Sequence, residues 1–359
     1  MIATTLKMKK LTTFLFFFFL LTNCTSKEEE IYTPIPYNLE VPTLFADKLI
    51  APVIPNNNPL TEEGVALGKK LFFDKKLSGN ETQSCASCHN PKNSFTDNQQ
   101  FSVGIDGVLG NRNAMPLFNL AWNFDELFAW DGKDFSLEKQ AFEPVSNPLE
   151  MHANWKDVVQ KLQNHSEYPS LFLQAFGTST IDSIAVTKAI AQFERTIISG
   201  DSKFDQYLRG ETILTAEEEN GFAVFMDEAK GDCFHCHGSN NNPLWTDNQF
   251  HNNGLDANFS DLGLGAVSGD PADNGKFKSP SIRNLVFTAP YMHDGRFTTL
   301  EEVINHYSEG LKASSTIDPL MKKVSQGGVQ LTIRDKADLK AFLLSLSDFD
   351  FIDNTAFQE

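Results

Sequence analysis

Cysteine is scarce in this sequence, strand patterning is missing, and positive charge runs well behind negative. Across 359 residues there are 5 cysteines, and 30 lysines and arginines stand against 47 aspartates and glutamates. The formal charge of −17 excludes a nucleic-acid backbone as partner, since a polyanion would be held without counter-charge. An acidic surface suits solubility, or the steering of a basic partner protein. No run alternates polar and apolar residues as a half-buried strand does, which leaves a mainly α chain with long loops and little β. The apolar stretch Leu11 to Leu21 ends too soon to cross a bilayer as a helix.

That stretch has another use. Lys7, Lys9 and Lys10 precede it and Leu21-Thr22-Asn23-Cys24 closes it, the layout of an export leader whose cysteine becomes the lipidated first residue. Residues 1–23 are therefore expected to be a lipoprotein signal peptide. The protein is then periplasmic or at the cell surface, reaching the membrane only through a lipid on Cys24. Asn23 departs from the small residue usual before such a cysteine. Thr25 to Glu30 is a charged run, read either as an export tag or as a solvated linker. Residues 24–59 hold Pro34, Pro36, Pro42, Pro52, Pro55 and Pro59, a composition that favours an extended tether or strap over a helix.

Helices are expected from Thr61 to about Asp74, from Ser183 to Ser199, from Thr299 to Glu309 and from Thr332 to Leu346, on apolar periodicity and capping residues. Two stretches begin alike. Leu60-Thr61-Glu62-Glu63 leads to Cys85, and Leu214-Thr215-Ala216-Glu217-Glu218 leads to Cys233. This weak repeat predicts duplicated units, a first domain over 60–205 and a second over 206–359.

Each copy ends in a motif. Cys85-Ala86-Ser87-Cys88-His89 and Cys233-Phe234-His235-Cys236-His237 fit the attachment signature of haem c. Cysteines one helical turn apart reach the two vinyl groups of a porphyrin, and His89 or His237 then ligates the iron. A zinc site wants its cysteine pairs roughly 15–20 residues apart, far closer than these, and a redox dithiol needs no histidine after it. Two covalently bound haem c groups are expected, and no cysteine is left for a disulfide. A sixth iron position filled by Met or His makes a carrier; an open one makes a catalyst.

Around the motifs the chain resembles the bacterial di-haem cytochrome c peroxidase family, the MauG branch included. The matching stretches are Leu71-Phe72-Phe73-Asp74, Arg112-Asn113, Trp130-Asp131-Gly132-Lys133, Gln140 and Asn147-Pro148-Leu149-Glu150-Met151 in the first half. In the second they are Pro280-Ser281-Ile282-Arg283-Asn284 and Ala289-Pro290-Tyr291-Met292-His293-Asp294-Gly295, so that the likeness covers about residues 58 to 348. It implies two cytochrome c-like haem domains, with the first haem as the peroxide site. Glu150 matches the catalytic glutamate, Gln140 its polar companion, Pro144 the apolar wall and Trp130 the tryptophan between the haems. Splitting an O–O bond unevenly needs a group that takes a proton from one oxygen and returns it to the other, which a carboxylate in a partly apolar pocket can do. Relatives that require reductive activation carry a removable histidine ligand where this chain has Ile105, so the first haem is expected to be five-coordinate and to need no activation. His152 is the imidazole near enough in sequence to intrude.

For the second haem the resemblance puts Tyr307 at the distal position, as in the MauG branch, with Met292 as the other candidate. His293 is expected to brace the region between domains, and His165, His251 and His306 to be surface or structural residues. A calcium ion is implied between the domains, on the Asn113 side chain and the backbone carbonyls of Thr288 and Pro290, oxygen ligands that suit it. The implied activity is reduction of hydrogen peroxide to water with electrons from a small cytochrome c or cupredoxin. The alternative is MauG-like oxidation of side chains on a partner protein. A homodimer is compatible with either. A plain electron carrier needs both irons six-coordinate, against which Glu150 and Gln140 argue.

Overall fold

Two glycines show how the chain is put together. Gly68, on α2 (Glu62–Phe73), lies so close to α7 (Ser183–Thr196) that an added Cβ would sit 1.9 Å from the Ala189 carbonyl oxygen. Gly221, on α9 (Ala216–Met226), meets α13 (Ile333–Ser345) in the same way, 1.9 Å from the Asp338 carbonyl oxygen. Phe72 then packs on Phe193 with ring centroids 5.3 Å apart, and Phe225 on Phe342 at 5.1 Å. The first helix of each crossed pair leads into one cysteine motif, held in the short helices α3 (Cys85–Cys88) and α10 (Phe234–His237), and the second helix follows it. The repeat read from sequence is thus a repeated helix crossing.

The computed structural model describes residues 1–2 and 33–359. The leader, Cys24 and the charged run behind it lie outside the described residues. No helix among the described residues is long and apolar enough to cross a membrane. Around the crossings run α1 (Thr43–Lys48), α4 (Leu137–Ser146), α5 (Trp155–Gln163), α6 (Tyr168–Phe176), α8 (Lys203–Leu208), α11 (Leu264–Ser268), α12 (Leu300–Asn305) and α14 (Phe349–Asp353). The one sheet among the described residues is a ribbon of β1 (Phe250–His251) antiparallel to β2 (Phe277–Lys278), with Phe250 opposite Lys278.

Capping side chains start the helices where the sequence suggests. Thr61 accepts from Gly64 N, while Thr215, Thr299 and Thr332 each form a capping box with the acid three residues on. The helix from Thr299 departs from its expected course. It is α-helical only to Asn305, and His306–Gly310 widens into a π turn, a feature common where a helix serves a site.

Two apolar cores result. Leu71, Phe72, Tyr168, Ile190 and Phe193 belong to the first, and Phe204, Phe225, Trp245 and Phe342 to the second. Burying each such aromatic stabilises by roughly 1.5–3 kcal/mol. The buried pair Arg283–Asp205 ties the start of the second core together, with both side chains at 0% exposure and N···O distances of 2.6 and 2.7 Å. Asp348 knots the halves: its Oδ2 accepts from Ser199 Oγ, Gly200 N and Asp201 N, each at 3.0 Å, and its own N–H donates to Asn284 Oδ1.

Two segments depart from the sequence-based expectation. The proline-rich stretch carries α1, in the proline-free interval between Pro42 and Pro52, and buries Phe45 against Trp122 in a small cluster with Leu244. The chain beyond Asp348 was grouped with the second domain, but Phe351 and Phe357 pack into the first core beside Phe95.

Candidate active site

The first motif opens on a cavity of about 270 Å³ whose lining includes Cys88, His89, Gln140, Glu143, Asn147 and Glu150. The His89 ring places Nδ1 2.9 Å from the Phe95 carbonyl, a bond that fixes the tautomer and leaves Nε2 for a metal. Burial holds its pKa below the usual histidine value, which keeps the ring a neutral donor. Met115, whose backbone also contacts the His89 ring, is a lining residue that sequence reasoning passed over.

Glu150 follows α4 in a turn built by Asn147. The Asn147 Nδ2 group donates to Glu150 Oε1 at 2.7 Å, while Asn147 Oδ1 accepts from Leu149 N at 3.0 Å. Burial pushes the Glu150 carboxyl above its ordinary pKa, and the nearby charge of Glu143 adds to the effect. Glu143 is itself paired with Lys133 at 2.5 Å. On the inner face of α4, Gln140 Oε1 is buried with no hydrogen-bond partner. An acceptor left open in a buried cavity is costly unless a ligand supplies the donor.

Ile105, at the tip of the loop after the first motif, is pinned away from this space, although Ser102 of the same loop lines it. Ile105 N–H donates to the Glu150 carbonyl at 2.9 Å, and its side chain lies beside Gly79, outside the cavity lining. His152 is likewise outside: its exposed ring pairs with Asp106 at 2.5 Å. His89 is the one imidazole among the described lining residues.

The second motif opens on a cavity of about 220 Å³, and here Cys233, Cys236, His237, Met292 and Tyr307 meet. Burial drives the His237 pKa down to about 4. The π turn carries Tyr307 inward, where burial pushes its pKa up to about 12. Asn253, which sequence reasoning missed, serves both candidate ligands: its Nδ2 lies 3.2 Å from the Tyr307 hydroxyl and 3.5 Å from Met292 Sδ. His306 Nε2 lies 3.1 Å from the Asn253 carbonyl, so that buried histidine anchors the asparagine. Met292 holds a left-handed φ of +74°, a strained backbone for a non-glycine residue.

Trp130 belongs to both cavities, the one aromatic among the described residues lining each. Its Nε1–H donates to the Asn113 carbonyl at 2.8 Å, and Asn113 N–H donates to the His293 carbonyl at 2.8 Å. The His293 ring stacks on Phe277 with centroids 3.6 Å apart. Asn113, Thr288 and Pro290 all line the second cavity. Arg112 fastens the shared wall, binding Asp131 at 2.6 Å and Asp261 at 2.7 Å.

These donors fit haem c. Each cavity pairs a Cys-x-x-Cys-His motif with a half-buried histidine whose pKa is held down, and the first holds an orphaned polar atom. Burial raises the thiol pKa of Cys88 to about 11 and of Cys233 to about 12, which keeps both cysteines protonated until they are used. Cys236, Asp247 and His251 also come close enough to hold an ion. Hydrogen bonds to Asp247 first, and also to Cys236 and Asp318, push the His251 pKa up to about 11, and Cys236 is already the second cysteine of the haem motif.

Comparison with known proteins agrees with this chemistry. A family model described as di-haem cytochrome c peroxidase matches residues 62–213. The methylamine utilization protein MauG of Methylorubrum extorquens is 40% identical over 298 residues, 81% of this chain and 80% of that protein. The cytochrome-c peroxidase IdrP2 of Denitromonas iodatirespirans is 33% identical over 314 residues, 79% and 81% of the two chains. A solved MauG-like protein associated with microbial copper homeostasis superposes with a TM-score of 0.80 at 35% identity, over 90% of this chain and 99% of that one.

Proposed function

The chain belongs to the di-haem cytochrome c peroxidase and MauG family, and on that footing we propose that it consumes hydrogen peroxide at the first cavity and draws the two electrons needed from a protein partner at the second. Haem c on each motif supplies the redox change. The chain's residues do the rest. Glu150 takes a proton from the bound peroxide and returns it to the leaving oxygen, its carboxylate aimed by Asn147. Gln140 Oε1 accepts a hydrogen bond from the substrate, which ends its unpartnered state. Ile105 and His152 are both held off the cavity, so neither side chain would compete with peroxide for a haem on the first motif. Trp130 fills the wall between the sites as the aromatic bridge for electrons.

The observation that carries this reading is Glu150 and Gln140 converging on the cavity of His89. Two electron sources are compatible with it. Side-chain oxidation of a partner protein is favoured by Tyr307 in the second cavity, since a phenolate bound to the iron would stabilise higher oxidation states, and by the 40% identity to a MauG protein against 33% to a peroxidase. A small cytochrome c or cupredoxin donor is the second reading, supported by the peroxidase relatives. Calcium on Asn113, Thr288 and Pro290, which one cavity wall brings together, completes the proposal. So does export with a lipid on Cys24, and each half then amounts to a cytochrome c-like domain.

The deciding experiment treats the ferric holoprotein with peroxide, with and without reduced cytochrome c. Donor oxidation in step with peroxide loss supports the peroxidase reading. A lasting two-electron-oxidised spectrum with an idle donor supports the partner-oxidising one. A wholly low-spin resting protein inert to peroxide overturns both.

A further inference from the structure

A buried ammonium stands in the partition between the two cavities. Lys278, on β2, is 6% exposed and is the only ionisable residue among the described ones lining both cavities. The ribbon fixes it there. Its backbone N–H donates to the Trp130 carbonyl at 2.9 Å, and the ring of its cross-strand neighbour Phe250 packs so tightly on Gly132 that an added Cβ would sit 2.5 Å from it. Lys278 Nζ lies 5.4 Å from the Phe250 ring centroid, donates to the Asn248 carbonyl at 2.8 Å, and reaches Asn123 Oδ1 only at 3.5 Å.

An ammonium has three donors, and here one strong bond and one marginal bond occupy them. No salt bridge to Lys278 forms among the described residues; Asp125 and Asp247 act on it only from farther off. Burial pulls its pKa down to about 8, which still leaves most molecules charged at neutral pH. A buried cation without an ion partner costs several kcal/mol, by the order of magnitude known for such groups. A structure that retains one has an anion to bring to it.

The anion is at hand once both cavities are filled. Every haem c carries two propionate carboxylates, and a lysine bordering both cavities is placed to meet them. We infer that Lys278 is the counter-charge for haem propionate at the junction of the two sites, tying the cofactors to the Trp130 turn as one rigid unit. The inference rests on the two-haem reading but not on any peroxide chemistry. Lys278 is a positioning residue: a fixed positive charge near both irons favours their reduced states.

The test is a spectroelectrochemical titration of holoprotein, comparing wild type with Lys278→Met, Lys278→Gln and Lys278→Arg. Loss of the charge shifts both midpoint potentials to more negative values in the Met and Gln variants, and Arg restores them, with two covalent haems per chain throughout. Gln retains polarity and hydrogen bonding, so it gives the readout if Met does not fold. Unchanged potentials in the Gln variant overturn the inference alone, as does an equal fall in the Arg variant. A wild type with fewer than two covalent haems removes the underlying two-haem reading before any variant is compared.

Discussion

Asn147 holds Glu150 by a 2.7 Å bond from its side-chain amide to Oε1, and that bond fixes the carboxylate at the edge of the first cavity. The same asparagine ends α4, so the position of the acid–base group is inherited from a helix terminus.

Glu150→Gln removes the proton acceptor but keeps size and polarity. Peroxide turnover is expected to fall by roughly 10²–10⁴-fold, the usual worth of a positioned acid–base group. Both haems stay attached, because thioether formation does not involve this residue. Stopped-flow decay of peroxide checks the rate, and retention of wild-type turnover removes Glu150 from the chemistry.

The pH profile follows from the same carboxyl. Burial first, and the Glu143 charge second, raise the Glu150 pKa, so a reaction needing the ionised form has its acid limb above the ordinary carboxylate range. Glu143→Gln takes away the like charge, and the limb of kcat/KM moves to lower pH. A limb that stays put, or moves up, contradicts the assignment.

At the second haem the two candidate ligands can be separated. Tyr307→Phe is expected to change the low-spin EPR signal of the ferric protein, while Met292→Leu leaves it in place. The reverse pattern would make Met292 the ligand. Asn253→Ala perturbs either, since its amide touches both groups.

Stability has its own test in the Arg283–Asp205 pair. Asp205→Asn leaves a buried guanidinium without its charge partner, a change that costs about 3–5 kcal/mol by analogy with broken buried pairs. Burial alone would raise the Asp205 pKa, but the attraction and hydrogen bonds of Arg283 outweigh it and leave the carboxyl below the usual aspartate value of the unfolded chain. Its contribution is therefore complete above that unfolded value and disappears as pH falls through the lower folded one. Denaturant midpoints measured across the acid range should show the wild type losing this advantage over Asp205→Asn only at the acid end.

The sequence was most informative where chemistry or capping is local. The motifs around Cys85 and Cys233 announced the cofactors, Thr61 and Thr215 announced their helices, and Glu150 with Gln140 came through the family resemblance. Residues defined by distant partners stayed hidden. Asn253 matters because Tyr307 and Met292 fold over it, and Lys278 because a two-strand ribbon lays it against Trp130. Helix α1 was hidden too, since its burial depends on Trp122 and Leu244 rather than on its own pattern. The tail is the same case: Phe351 and Phe357 read as part of the second half until the Asp348 knot turns the chain back.

That returning tail bears on how the protein matures. Phe95, one residue before Thr96 in the Asn90–Thr96 bridge that closes the loop after the first motif, is packed on Phe351 and Phe357 from the far end of the sequence. During synthesis the wall beside His89 therefore stays incomplete until nearly all of these residues have been made. Cys85 and Cys88 themselves stay partly accessible after the two phenylalanines dock, so completion of that wall does not seal off the attachment thiols.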